Sequence, residues 1–194
     1  DYKRPGLIAG AGVHVSSITP RTQSEMENGT FFVDERVTGI SGEAHIKYNQ
    51  KDWLVSAKTV LGTNLTQTST VGGYGIVSID EYTGKQQYSP LRTSSTWVNV
   101  AYGKKWRPAL FFGYLKNLGA SKEVLYGTLG TGTTLDQLFT GTAELTYNIP
   151  HWKFGAEYSL CNAWYGDNFD SKAKAIDSHS VMNHRFVFTP IFQL

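Results

Sequence analysis

Cysteine is almost missing from this sequence, with Cys161 the only one. That excludes an internal disulfide framework and a multi-cysteine metal site. The lone thiol reads as a small, outward-facing apolar filler of a strand. Long apolar runs are missing too. No stretch approaches the ~20 residues of a transmembrane helix. Charge is sparse: Asp, Glu, Lys and Arg make up 18% of the 194 residues, against about a quarter in ordinary soluble domains. The 18 basic and 16 acidic residues leave a net charge of +2, too weak for a nucleic-acid partner. No charged-then-apolar leader opens the sequence at Asp1, so any signal peptide is expected to lie outside it. The lack of apolar runs leaves one membrane architecture open, because barrel strands are apolar only at every second residue.

Glycine (20) and aromatics (13%) are plentiful. Three short turns, Gln50-Lys51-Asp52, Gly103-Lys104-Lys105-Trp106-Arg107 and Pro150-His151, each separate two strand-like runs. The other connections, near 17–36, 65–93, 119–137 and 167–178, are long and rich in Gly, Ser, Thr, Asn and Asp, as loops are. The spacing predicts eight strands, near 7–16, 37–49, 53–64, 95–104, 108–118, 138–149, 152–165 and 181–193. Short turns alternating with long loops are the outer-membrane pattern, with short turns and chain ends on the periplasmic side.

Within the runs, polarity has period two. Gly39, Ser41, Glu43, His45, Lys47 and Asn49 alternate with Ile40, Gly42, Ala44, Ile46 and Tyr48. Ser56 and Lys58 oppose Trp53, Val55, Ala57 and Leu61, and Glu144 and Glu157 sit in similarly two-faced runs. Such a strand has one polar and one apolar face. Period alone does not say which face is inside. Aromatics gather at strand ends, with Tyr48, Trp53, Trp106 and Trp152 beside the short turns, as in interfacial girdles. A dry core would not accept Glu43, His45, Lys47, Lys58, Glu144, Glu157 and Arg185, but a water-filled lumen would. These seven are the expected pore-lining residues. The run 108–118 fits either register, one of which turns Lys116 toward lipid with Leu110, Phe112 and Tyr114.

The sequence closes on His184-Arg-Phe-Val-Phe-Thr-Pro-Ile-Phe-Gln-Leu194, with Phe186, Phe188, Phe192 and Leu194 on one face. This resembles the terminal strand that barrel-assembly machinery reads by strand pairing. Further stretches are Leu7-Ile-Ala-Gly-Ala-Gly-Val13, Asn64-Leu-Thr66 with Gly72-Gly-Tyr-Gly75, Ala101-Tyr-Gly-Lys-Lys105, Gly113-Tyr-Leu-Lys-Asn-Leu-Gly119 and Phe154-Gly-Ala-Glu157. On these the chain resembles the C-terminal half of Bacteroidota porin-like outer-membrane proteins, related to the DcaP-like trimeric porins. The resemblance implies an all-β, transmembrane antiparallel meander barrel, with this single domain as half of a wall of about 16 strands. It also implies a homotrimer in the bacterial outer membrane, with lipid as partner and no cofactor. Eight strands closing alone would give a barrel filled by its own side chains. Gly10, Gly12, Gly39 and Gly155 on the lumen face are small for that.

The expected function is passive diffusion of small polar or anionic solutes. The loop 65–93 is the one expected to fold inward, hinged at Gly72, Gly73 and Gly75. Arg36, Lys85 and Arg92 are expected at the pore mouth or constriction, with Arg36 and Arg92 at loop-to-strand junctions and able to fork onto carboxylates. Gly127-Thr-Leu-Gly130-Thr-Gly132 lacks the Lys and helix of a phosphate loop. The histidines His14, His45, His151, His179 and His184 lack metal-ligand spacing, and are expected in solvent or along the lumen. Asn28-Gly-Thr30 and Asn64-Leu-Thr66 match a glycosylation acceptor only in form. Two alternatives stand beside the porin. One is a non-conducting scaffold or adhesion barrel presenting Tyr74, Tyr82 and Tyr88. The other is a lipid-modifying barrel enzyme, for which His151 has no readable Ser partner.

Overall fold

A run with one apolar and one polar face satisfies its backbone only by pairing with neighbours on both sides. The computed structural model describes residues 1–68 and 70–193. In chain order its strands are β1 (Tyr2–Arg4), β2 (Leu7–Ile18), β3 (Gln23–Met26), β4 (Gly29–Phe32), β5 (Val37–Gln50), β6 (Trp53–Thr63), β7 (Tyr74–Ile79), β8 (Gln86–Tyr102), β9 (Trp106–Ala120), β10 (Thr128–Leu129), β11 (Leu135–Ile149), β12 (Trp152–Phe169) and β13 (Ala175–Phe192). One 3-10 turn at Thr66–Thr68 is the sole helical element among the described residues. The main sheet runs β1-β2-β5-β6-β8-β9-β11-β12-β13, and every pairing in it is antiparallel. The fold is therefore an all-β antiparallel meander. Lys51 (φ 58°) and His151 (φ 63°) take left-handed backbone in the short turns.

All eight predicted strands are present, and several are longer than expected. β8 begins at Gln86 rather than 95, β11 at Leu135 and β13 at Ala175, while β12 continues to Phe169. Side-chain alternation stops where the residues turn polar, but backbone pairing does not depend on side-chain polarity. The stretch 65–93 is accordingly not one loop. β7 pairs with β8 and also holds β10, so Thr128 and Leu129 of the glycine-rich stretch are pinned as a strand. Residues 17–36 contain the β3–β4 hairpin.

Register assigns the faces, because residues paired across strands point the same way. One row runs His45, Lys58, Trp97, Gly113, Thr140, Cys161, Asn183. A second runs Lys47, Ser56, Asn99, Phe111, Thr142, Ser159, Arg185. Next to the second, a row of the opposite face runs Tyr48, Val55, Val100, Leu110, Ala143, Tyr158, Phe186. Cys161 thus lies on the polar face, against the outward placement expected of it, 3.8 Å from the Thr140 hydroxyl that donates to it. The register of 108–118 is settled as well. Leu110, Phe112, Tyr114 and Lys116 share the apolar face, and Phe111 and Leu115 the other. Leu194 falls outside the described residues, but Phe186, Phe188 and Phe192 do share the apolar face.

The sheet has no second layer over its apolar face. Val13 is 79% exposed, Ile40 64%, Phe112 47% and Phe186 71%. It is also open: β13 pairs only with β12, and β2 pairs with β5 and, over Leu7–Ala9, with β1. No closed barrel forms from these strands. The pairing row through Leu54, the second residue of β6, passes Ala101, Ala109 and Glu144 to Glu157, the sixth of β12. The strands are thus staggered against the line of short turns, the slip that barrel walls require.

Lys116 is accommodated on the apolar face by an ion pair with Asp136 at 2.7 Å. Asp136 is the extra residue between the paired Leu135 and Gln137, and its side chain is only 8% exposed. Lys116→Met should cost roughly 1–3 kcal/mol by leaving that carboxylate without its partner. Lys116→Met together with Asp136→Asn should recover most of the loss. Thermal unfolding of the two variants checks this, and equal loss in both would show that the pair does not set the cost.

Candidate functional site

All seven predicted lining residues lie on the polar face. Glu43 anchors one cluster, 3.5 Å from Lys58 Nζ and 3.1 Å from His45 Nδ1. His45 Nε2 in turn lies 3.4 Å from an Asp1 carboxylate oxygen. Arg185 reaches Glu157 at 3.5 Å. Glu144 stands directly across from Glu157, an unfavourable pairing unless solvated. The Thr146 and Ser159 hydroxyls donate to these two carboxylates. Lys47 and Lys153 make no ion pair among the described residues. Arg107 joins them: read from sequence as part of a turn, it lies across from Thr146 on the polar face. No signal short of the register would have found it.

Two glycines of this face, Gly10 and Gly12, are covered by side chains, while Gly155 is open. A side-chain carbon on Gly12 would sit 2.9 Å from Glu43 Oε1, and one on Gly10 would sit 2.6 Å from His45 Cε1. Glycine lets both charged side chains lie along the wall.

A short piece of the 65–93 stretch, not the whole of it, lies over the polar face. Asn64 (φ 50°, 1% exposed) turns the chain at the end of β6. Leu65 then packs over Gly62, the Thr93 hydroxyl donates to Val71 O at 3.4 Å, and Val71 packs on Leu115, Leu135, Leu138 and Ala163. The segment leaves the face through Gly72 and Gly73, held by Gly72 N to Thr131 O (3.0 Å) and Leu91 N to Gly73 O (2.8 Å). Between it and the wall lies a cavity of about 520 Å³ lined by Gly12, His14, Ser41, Glu43, Lys58, Leu65, Thr68, Thr70 and Ser95. The described residues of 65–71 carry no charge.

The charges expected at the constriction are elsewhere. Arg92 lies inside β8, not at its start, and on the apolar face opposite Thr63. Its guanidinium donates to Gly119 O and Ala120 O. Arg36 does sit just before β5, exposed and 3.6 Å from Asp34. Lys85 precedes β8, in the 80–85 turn that closes the β7–β8 hairpin.

A polar knot ties that hairpin to the 17–36 region, and its members stand too far apart in the chain for spacing to reveal it. Arg21 Nη2 lies 2.7 Å from Glu35 Oε1, and its Nε donates to Oε2 at 2.8 Å. Tyr88 OH donates to Glu35 at 2.6 Å and Gln86 N donates to the same carboxylate. Arg21 and Ser24 reach the carbonyls of Gly84 and Thr83. Tyr88 and Tyr74 are therefore packed rather than exposed, with ring centroids 5.2 Å apart. Tyr82 alone of the three stands out, 69% exposed.

The aromatics of the short-turn end all lie on the apolar face. Trp53 meets Tyr102 at 4.7 Å, Trp106 meets Tyr147 at 4.3 Å, and Trp152 meets Phe192 at 5.0 Å. Tyr48 OH donates to Gln50 at 2.9 Å. His184 is also on this face, 2.7 Å from Tyr158 OH, so it lines no lumen. His151 contacts Gln193 O at 3.2 Å and His179 contacts Asp167 at 2.6 Å. No group of three metal-ligating side chains forms among the described residues. Asn64 is too buried to accept a glycan, and Asn28 donates to Tyr82 O. Compared with protein families, curated proteins and solved structures, the chain matches none.

Burial alone would raise the Glu35 carboxyl, but the bonds from Arg21, Tyr88 and Gln86 N outweigh it and carry it from an ordinary 4.5 down to about 2. A depressed carboxylate adds stability above its unfolded value and loses it as pH falls toward the folded one. Docking of the two hairpins should therefore be intact above pH 4.5 and weaken progressively toward pH 2. Amide exchange at Gln86 read against pH checks this. Glu35→Gln should open the knot at neutral pH and flatten the dependence, and an unchanged profile in that variant would contradict the assignment.

Proposed function

We propose that this sheet is wall of a β-barrel in the bacterial outer membrane, and that it passes small polar and anionic solutes by passive diffusion. One observation carries the reading. Along the long strands most large apolar side chains share one bare face and most ionisable ones the other, with Lys116, Arg92 and His184 the ionisable exceptions and Trp97 and Phe111 the aromatic ones. The exposed set includes Val13, Ile40, Leu61, Phe112, Leu145, Tyr158 and Phe188. Apolar patches above ~300–600 Å² are unusual on soluble monomers, and lipid is the solvent that makes such a face favourable. The Trp and Tyr row at the short-turn end fits the headgroup layer, where a ring and a polar tip are both accommodated.

The opposite face suits water. Its strand cations include Lys3, Lys47, Lys58, Arg107, Lys153 and Arg185, against the anions Glu43, Glu144, Glu157 and, toward the long-loop end, Asp177. Lys58 and Arg185 are paired, which leaves Lys47, Arg107 and Lys153 on the long strands to bias a channel toward anions. Arg185 belongs to this wall, and Arg36 and Arg92 do not. A scaffold reading draws on the knotted outer hairpins and exposed Tyr82, and a silent bilayer would favour it.

The full chain, reconstituted in planar bilayers, should give conductance steps whose reversal potential across a KCl gradient favours chloride. Changing Lys47, Arg107 and Lys153 together to Gln should move selectivity toward cations. Absence of steps, or cation selectivity in the parent chain, would count against the reading. Separately, Ala156→Arg on the apolar face should harm insertion by roughly 2–4 kcal/mol near the midplane. Ser56→Arg on the polar face should not, and equal damage at both would reject the assignment of faces.

A further inference from the structure

The polar face carries two large aromatics that a charged, water-facing wall does not call for. Trp97 and Phe111 stand on adjacent strands with ring centroids 6.0 Å apart and planes 32° from parallel. Both are half-buried. A side-chain carbon on Gly113 would lie 3.1 Å from Phe111 Cε1 and 3.3 Å from its Cζ. Glycine at that position lets the Phe111 ring lie flat over the sheet instead of standing away from it. Register sets neutral hydrogen-bonding groups beside the pair, with Asn99 opposite Phe111 on β8, Thr142 opposite it on β11 and Thr140 across from Gly113, and it places Lys58 directly across from Trp97 on β6. The aromatic recess and the 520 Å³ cavity share Ser95 as a wall. On the cavity side stand the Glu43–Lys58 ion pair and the hydroxyls of Thr68 and Thr70.

We infer that this recess and cavity form a binding site for a neutral saccharide, held where the uncharged segment 65–71 narrows the wall. A pyranose ring has an apolar face of C–H bonds and an equatorial rim of hydroxyls. The flat Phe111 ring and Trp97 match the first through hydrophobic and π contact. A paired carboxylate and ammonium, with threonine hydroxyls, match the second by accepting and donating at once. An anion would have to compete with Glu43 for Lys58. The two aromatics offer it no compensating charge. A few convergent polar groups beside an apolar wall is the usual make-up of a small-molecule site. The inference rests on the pore reading and adds to its general charge bias one site for a neutral polar solute, and binding there is measurable without conduction.

Trp97 is the reporter, since register places Trp53, Trp106, Trp152 and Trp164 on the opposite face. Titrating the detergent-solubilised full chain with maltotriose should give a saturable change in tryptophan fluorescence. Trp97→Phe should abolish the signal while calorimetric binding persists. Trp97→Ala and Phe111→Ala should each weaken calorimetric binding by about tenfold or more, and Trp53→Phe should leave it unchanged. Circular dichroism establishes that each variant keeps its sheet. Absence of saturable binding by the parent chain, unchanged affinity in both alanine variants, or saturable binding of benzoate but not maltotriose would each overturn the inference. Binding without conductance would keep the site and remove the pore, and conductance without binding would do the reverse.

Discussion

A two-residue period held in register is the constraint on which this structure depends. Side chains of a strand alternate, so a slip of one residue in any pairing would carry that strand's charges to the apolar face and its aromatics to the polar one. Across β5, β6, β8, β9, β11, β12 and β13, the pairing keeps His45, Lys58 and Asn183 in one row and Tyr48, Leu110 and Phe186 in a row of the other face. The turns help fix this register, two of them using left-handed backbone at Lys51 and His151. Where the alternation is broken, a local device repairs it. Lys116 is the clearest case, matched by a carboxylate that an extra residue in β11 brings within 2.7 Å.

The strands of the main sheet were legible in the sequence because period two is written in side-chain polarity. Glu43, His45, Lys47, Lys58, Glu144, Glu157 and Arg185 could be grouped from alternation alone, and register puts them on one face. Arg92 was misplaced because polar residues such as Gln86 to Ser94 look like loop, while their backbones continue the ladder. A strand end judged by polarity falls short of one set by hydrogen bonding. The 108–118 run was undecidable for a related reason. Both of its faces are apolar, and Lys116 could not decide between them because its partner Asp136 is an extra residue of a different strand. The Arg21–Glu35–Tyr88 knot lay beyond any reading of spacing, since its members meet only after two separate hairpins dock.

The outer end and the polar face obey different physics. At the outer end, buried polar groups hold hairpins together in the way of soluble loops, with Glu35 satisfied by three donors. On the polar face, charges are only half-buried and paired loosely at 3.1–3.5 Å, which suits contact with water more than structural support. The segment 65–71 joins the two regimes. It enters through buried Asn64, grips the wall through Leu65 and Val71, and returns at Gly72 and Gly73 to bonds with Thr131 and Leu91. Its described residues are tied to the wall at both ends, through Asn64 and Leu65 on one side and Val71, Gly72 and Gly73 on the other.

The open edges bear most directly on the pore reading. Backbone groups inside hydrocarbon must be paired, and β13 presents one whole side of Ala175–Phe192 without a partner. β2 and β13 run in opposite directions, because the meander between them joins an even number of long strands, so either edge accepts the other type in antiparallel fashion. β13 does not simply close onto β2 here, and β1 already occupies β2 over Leu7–Ala9. An eight-strand barrel would also have to fill its interior with side chains, whereas this face is lined by Gly10, Gly12, Gly39 and Gly155 and by charged groups laid flat along it. The described strands therefore form an open wall, whose outer edges carry only β1 on Leu7–Ala9, and the stagger from Leu54 to Glu157 is the slip that a curved wall of this kind needs.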